Sequence, residues 1–150
     1  MSDLRELYEE TILDHTRRPR NFHALPAANR HANGYNPLCG DKLQVFLRVQ
    51  DNVIADASFL GTGCAISTAS ASLMTEAIQG KPLEEVAVLF EKFHHLLTGP
   101  PQASAVPAGL GKLAVFAGVR EFPVRVKCAT LAWHTLQAAL KNAATPVSTE

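Results

Sequence analysis

Residues 35–49, YNPLCGDKLQVFLRV, decide how the rest of the chain is read. Leu43, Val45, Leu47 and Val49 alternate with Gln44, Phe46, Arg48 and Gln50. That is the period of a half-buried strand, with Phe46 as the one apolar exception. The stretch QDN follows as a turn and Val53–Phe59 resumes the extended pattern, which predicts a β-hairpin over 42–59. Just ahead of the first strand, Cys39 sits on a Pro-Gly loop with a carboxylate, Asp41, two residues on.

Working outward, residues 1–18 read as an N-terminal amphipathic helix with Leu4, Leu7, Tyr8, Thr11 and Ile12 on one stripe, ended by RRPRN. Between Phe22 and Pro37 the pattern is weak, and at most a short strand is expected around Arg30–Tyr35. Beyond the hairpin the period changes. After GTGC, the residues Ile66, Ala69, Ser70, Leu73, Ala77 and Ile78 share a helical face that Gly80 stops. Pro82 opens a second helix carrying Val86, Leu89, Phe90, Phe93, Leu96 and Leu97. Residues 99–109 read as a surface loop. A short helix is expected around Leu110–Val119 and a final one over Ala129–Lys141, with 143–150 as a frayed tail. Early strands and late helices predict one α+β domain over 1–150: a small antiparallel sheet of about three strands, packed on one side by helices.

Composition narrows the function. Hydrophobic residues make up 47% and charged residues 19% of the 150 residues, which is the balance of a chain that buries a core. Fourteen basic and fourteen acidic residues cancel. A basic field for nucleic acid or an anionic membrane is therefore not expected. The N-terminal MSDLRELYEE lacks the apolar core of a signal peptide, and no apolar run reaches the length of a membrane span. Three cysteines, an odd number, argue against a disulfide framework and point to the reducing cytoplasm.

Each cysteine falls where one predicted element gives way to another. Cys39 lies at the mouth of the first strand. Cys64 lies where the hairpin passes through Gly61 and Gly63 into a helix. Cys128 lies where the extended approach after Pro123 turns into the last helix. A helix N-terminus carries unsatisfied N–H groups and about half a positive charge, which favours the thiolate, the nucleophilic and metal-binding form. The chain has no CxxC pair. From spacing alone, three buried small hydrophobes that never meet are the commoner reading, and the boundary placement with its flanking glycines brings a metal or thiol site level with it.

Three segments, NPLCGD with Cys39 and Asp41, GTGCAISTASASLMTEAIQGK with Cys64, and FPVRVKCATLAW with Cys128, occur in this order. Together with LYEETILDHTRRPRN they resemble the U-type iron–sulfur cluster assembly proteins, the family of IscU, the NifU N-terminal domain and SufU. The resemblance covers nearly the whole chain. It implies a small antiparallel sheet packed with helices, and one site at which Cys39, Asp41, Cys64 and Cys128 hold zinc or an assembling [2Fe–2S] cluster. Where IscU-like scaffolds have a histidine before the third cysteine, this chain has Lys127, an ammonium without a lone pair. The chaperone-recognition motif LPPVK is replaced by FPVRVKC, and the stretch between Cys64 and Cys128 is longer. These departures resemble the SufU branch. That branch implies a zinc-dependent sulfurtransferase-type carrier, which accepts persulfide sulfur on Cys39 from a SufS-type pyridoxal-phosphate cysteine desulfurase and passes it to a separate cluster-assembly complex.

An oxygen ligand is harder and easier to exchange than a fourth thiolate, which suits a site that must open. Zinc with three thiolates and one carboxylate carries about −2 by formal charge, and helix N-termini, Arg125 and Lys127 are the expected compensation. A [2Fe–2S] scaffold at the same residues and a structural zinc module for protein binding are the competing readings. The six histidines lack ligand spacing and read as surface or core residues.

Overall fold

The computed structural model describes residues 2–98, 109–141 and 147–148, with the side chains of 2–8 and 147–148 left aside. Helix α1 (Ser2–Arg17) leads into strands β1 (Arg30–Asn36), β2 (Asp41–Gln50) and β3 (Val53–Thr62). Helices α2 (Ala65–Ile78) and α3 (Leu83–Thr98) follow. A 3₁₀ segment (Gly111–Glu121), helix α4 (Pro123–Leu140) and a two-residue strand β4 (Val147–Ser148) complete the order. The sheet runs β3-β2-β1-β4; its first three strands are antiparallel, and β4 lies parallel to β1 at Gly34 and Tyr35.

The alternation read in β2 has a direct cause in the packing. Leu43, Val45 and Leu47 are buried while Lys42 and Gln44 are exposed. The helices cover only one face: α4 packs on β1 and β2, and α2 packs on β3. Each fully buried aliphatic side chain contributes about 1.5–3 kcal/mol to that stack. Between the helices, Trp133 stacks on Phe93 at 4.7 Å between ring centroids, and Phe93 meets Phe116 edge-on at 5.7 Å. These rings form the centre of the helical layer.

Three boundaries differ from the sequence expectation. Helix α4 starts at Pro123, not Ala129, so Cys128 lies in its second turn and does not open it. The β-branched run in PVRVK reads as extended, yet proline at the first helical position has its φ preset for a helix and loses no needed N–H there. The 110–119 helix has 3₁₀ geometry and continues to Glu121. Of the tail expected to fray, Val147–Ser148 pairs with the free side of β1. The loop predicted at 99–109 lies outside the described residues except for Gly109. Among the described residues, no helix is long and apolar enough to cross a membrane.

Candidate metal centre

The site forms at the end of the sheet where β1 turns into β2. Asn36 and Asp41 face each other as the last pair of the β1–β2 ladder, and both are fully buried. Their side chains point to the helical side because the sheet period puts them on the face of Leu43 and Val45. The turn between them, Pro37–Gly40, lifts Cys39 to a half-buried position and leaves Leu38 60% exposed. From the other side, α4 brings in Cys128, fully buried. The Cys128 and Cys39 sulfurs lie 3.2 Å apart, although 89 residues separate them in the chain.

One ligand atom each from Cys39, Asp41 and Cys128 lies within 4.8 Å of the other two. Sulfurs bound to one tetrahedral zinc at about 2.3 Å sit about 3.8 Å from each other, so the Cys39 and Cys128 sulfurs would have to part by roughly half an ångström to share such an ion. Cys64 stands beside this trio and outside it. It caps α2, with its Sγ accepting the Ser67 N–H at 3.5 Å, and its own N–H donates to Asp41 Oδ1 at 2.8 Å. Its sulfur is still close enough to Cys128 to act on it electrostatically and by hydrogen bonding. A β-carbon on Gly63 would lie 2.8 Å from Asp41 Oδ1 and 3.2 Å from Ser67 Oγ, so only glycine lets this strand-to-helix junction close over the carboxylate.

Two features show that the donor set suits a cation. Burial, reinforced by thiol hydrogen bonds to Cys39 and Cys64 and by the Asp41 carboxylate, pushes the Cys128 thiol far above its ordinary pKa. Positive charge placed in the cluster would favour the thiolate of that buried sulfur. Ser67 Oγ is buried with no hydrogen-bond partner among the described residues. It is a polar atom left over beside the Asp41 carboxylate.

Arg125, one turn before Cys128, is exposed and faces the sulfurs. Cys128 first, then Cys64 and Cys39, hold its guanidinium above the usual arginine pKa. Lys127 is half-buried, and its ammonium makes no hydrogen bond or ion pair with a described residue. The sequence reading assigned no role to Asn36, although it opens the NPLCGD segment. Its Nδ2 lies 3.4 Å from Asp41 Oδ2 and 3.6 Å from Cys128 Sγ, and its Oδ1 accepts the Leu38 N–H at 3.3 Å. The available signal was an Asn-Pro step at a strand end, where asparagine commonly folds back onto a turn. The histidines lie away from the cluster: His15 is buried against Ser72, and His94 and His134 meet ring to ring at 5.8 Å.

The chain is similar to proteins already characterised. The family model for the NifU-like N terminal domain matches residues 7–129. The iron-sulfur cluster assembly scaffold protein IscU of Streptococcus pyogenes serotype M1 is 38% identical over 144 residues, covering 96% of this chain and 89% of that protein. The zinc-dependent sulfurtransferase SufU of Bacillus subtilis (strain 168) is 37% identical over 136 residues, covering 91% and 90%. Among solved structures, a putative iron-sulfur cluster assembly scaffold protein for the SUF system from Fervidobacterium islandicum AW-1 superposes with a TM-score of 0.80. It is 32% identical, over 90% of this chain and 97% of that one.

Proposed function

The chain belongs to the NifU-like N-terminal domain family, and from that premise we propose that it serves iron–sulfur cluster assembly as a zinc-bound sulfur acceptor. It works in the cytoplasm, taking persulfide sulfur on Cys39 from a SufS-type pyridoxal-phosphate cysteine desulfurase and relaying it to a cluster-assembly complex. The observation that carries the reading is the unequal placement of the two touching cysteines. Cys128 is sealed in the core, whereas Cys39 rides a solvent-facing turn beside it. A thiol that must meet another protein's persulfide and then return has to be the one on the turn.

Cys39, Asp41, Cys64 and Cys128 would hold the zinc. Bound there, it keeps thiols deprotonated at neutral pH and supplies the positive charge that the buried Cys128 demands. The transfer is thiol–disulfide exchange. The Cys39 thiolate attacks the outer sulfur of the desulfurase persulfide and a sulfur–sulfur bond forms on Cys39. The old bond breaks, and the desulfurase cysteine leaves as thiolate, with no net oxidation. Arg125, exposed and facing the three sulfurs, offsets the negative charge that collects as the two anions approach. Lys127 adds positive charge nearby.

The test is desulfurase turnover with and without this protein. Wild type is expected to stimulate turnover and to carry labelled sulfur, whereas Cys39→Ala should do neither while keeping its fold. Unchanged stimulation by Cys39→Ala would refute the acceptor role and favour a structural zinc module. The name of the Streptococcus relative supports a second reading, a scaffold that builds a [2Fe–2S] cluster on the same residues. Anaerobic reconstitution with iron and sulfide separates the two: a stable visible-absorbing cluster formed at the expense of zinc favours the scaffold.

A further inference from the structure

We infer that Asn36 is a positioning residue that divides the ligand set into a fixed pair, Asp41 and Cys128, and a mobile member, Cys39; the inference rests on the reading that these residues hold a metal ion. Asn36 is fully buried, so water cannot substitute for its amide. Its Nδ2 has two hydrogens and two acceptors in reach, Asp41 Oδ2 at 3.4 Å and Cys128 Sγ at 3.6 Å. One side chain thereby ties the start of β2 to the second turn of α4. Because Cys64 N–H already holds Asp41 Oδ1 at 2.8 Å, both carboxylate oxygens are anchored and the carboxylate plane is set.

The other half of the amide acts on the turn. Asn36 Oδ1 accepts the Leu38 N–H at 3.3 Å, and the Asn36 carbonyl accepts the Cys39 N–H at 3.3 Å. Both bonds hold backbone only. Among the described residues, the hydrogen-bond partner of the Cys39 sulfur is the Cys128 thiol itself. Asn36 therefore fixes where the turn begins without holding the Cys39 side chain. If Cys39 swings out, Asp41 and Cys128 stay in register and the open position is ready to be refilled. Outer-shell donors to metal ligands do this by setting ligand orientation and electron density. An N–H bond to Cys128 draws density off that sulfur.

The experiment compares wild type, Asn36→Ala and Asn36→Asp by chelator-competition zinc affinity, by the sulfur-to-metal charge-transfer bands of the Co²⁺-loaded proteins, and by thermal melts of the metal-free forms. Asn36→Asp keeps the size and the acceptor for Leu38 N–H but cannot donate to Asp41 or Cys128. Both variants are expected to bind zinc about 10–100-fold more weakly than wild type. Their charge-transfer bands should move to longer wavelength, because the Cys128 sulfur regains electron density. A role confined to folding would lower the metal-free melts and leave the bands in place. Wild-type bands, or an affinity equal to or tighter than wild type in Asn36→Asp, would overturn the inference while leaving the metal site standing. Failure of the wild-type protein itself to bind Co²⁺ and Zn²⁺ would overturn both.

Discussion

The sheet reverses direction twice, and the two reversals are built on different terms. Between β2 and β3 the chain turns on Asp51 and Asn52, with φ of 54° and 61°. Paired left-handed residues of this kind suit the twist of the strands they join. That turn is exposed, and its distant contacts are backbone ones to the start of α3, where the Leu83 N–H donates to the Asn52 carbonyl at 2.9 Å. Between β1 and β2 the chain uses Pro37–Gly40, with Gly40 at φ 71°, and flanks the turn with a buried asparagine and a buried aspartate. Asp41 is held by the α2 junction, and Asn36 contacts Cys128 of α4. One reversal takes its shape from two left-handed residues and touches the rest of the chain through backbone alone. The other is completed by side chains far along the chain, and it carries Cys39 and Asp41 of the candidate site.

The sharpest way to break this contrast is to remove the distant partner. Cys128→Ala is expected to lower zinc affinity by more than about 100-fold, beyond the loss of an outer-shell contact. Chelator competition measures it, and near-wild-type affinity would mean that the first turn does not depend on α4. Next in size, Asn52→Val places a β-branched residue at positive φ. It should cost about 1–2 kcal/mol in urea unfolding and leave metal affinity unchanged. A matching loss of affinity would show the two turns to be coupled through β2. Gly40→Ala should cost about 1 kcal/mol, since its β-carbon would meet open space and only the positive φ is strained. Zinc affinity should fall with it, because this turn carries Cys39.

The smallest effect is a pH dependence that lies outside both turns. His15 is buried, with Nδ1 2.7 Å from Ser72 Oγ and Nε2 3.6 Å from Glu76, and it ties α1 to α2. Burial first, then Arg20, hold its pKa below the usual histidine value, and burial followed by His94 does the same for His134. The folded state thus resists a proton that the unfolded chain accepts. Stability should be level above about pH 6.5 and fall as pH drops below it toward the lowered folded values. Urea unfolding of His15→Gln across that window should show a shallower slope. An unchanged slope would assign the effect to His134 or to neither.

What was legible in the sequence was whatever repeats over a few residues. The alternation of Leu43, Val45 and Leu47 shows β2 because a strand with one buried face must alternate. The helical stripes of α2 and α3 are legible for the same reason at their own period. The cysteine-bearing segments, taken as a set, point to the family. The start of α4 was misread, since PVRVK is ambiguous between an extended run and a helix opened by proline.

By itself the sequence determined most of the element types and the chemistry on offer. Tertiary structure alone decided that Cys39 and Cys128 touch, that Cys64 sits beside the trio by capping α2, and that Asn36 is buried against Asp41 and Cys128. It also placed Val147–Ser148 on β1. Periodicity reports on neighbours within a turn or two of chain, whereas contacts across 89 residues are set by which helix packs on which strand and in what register.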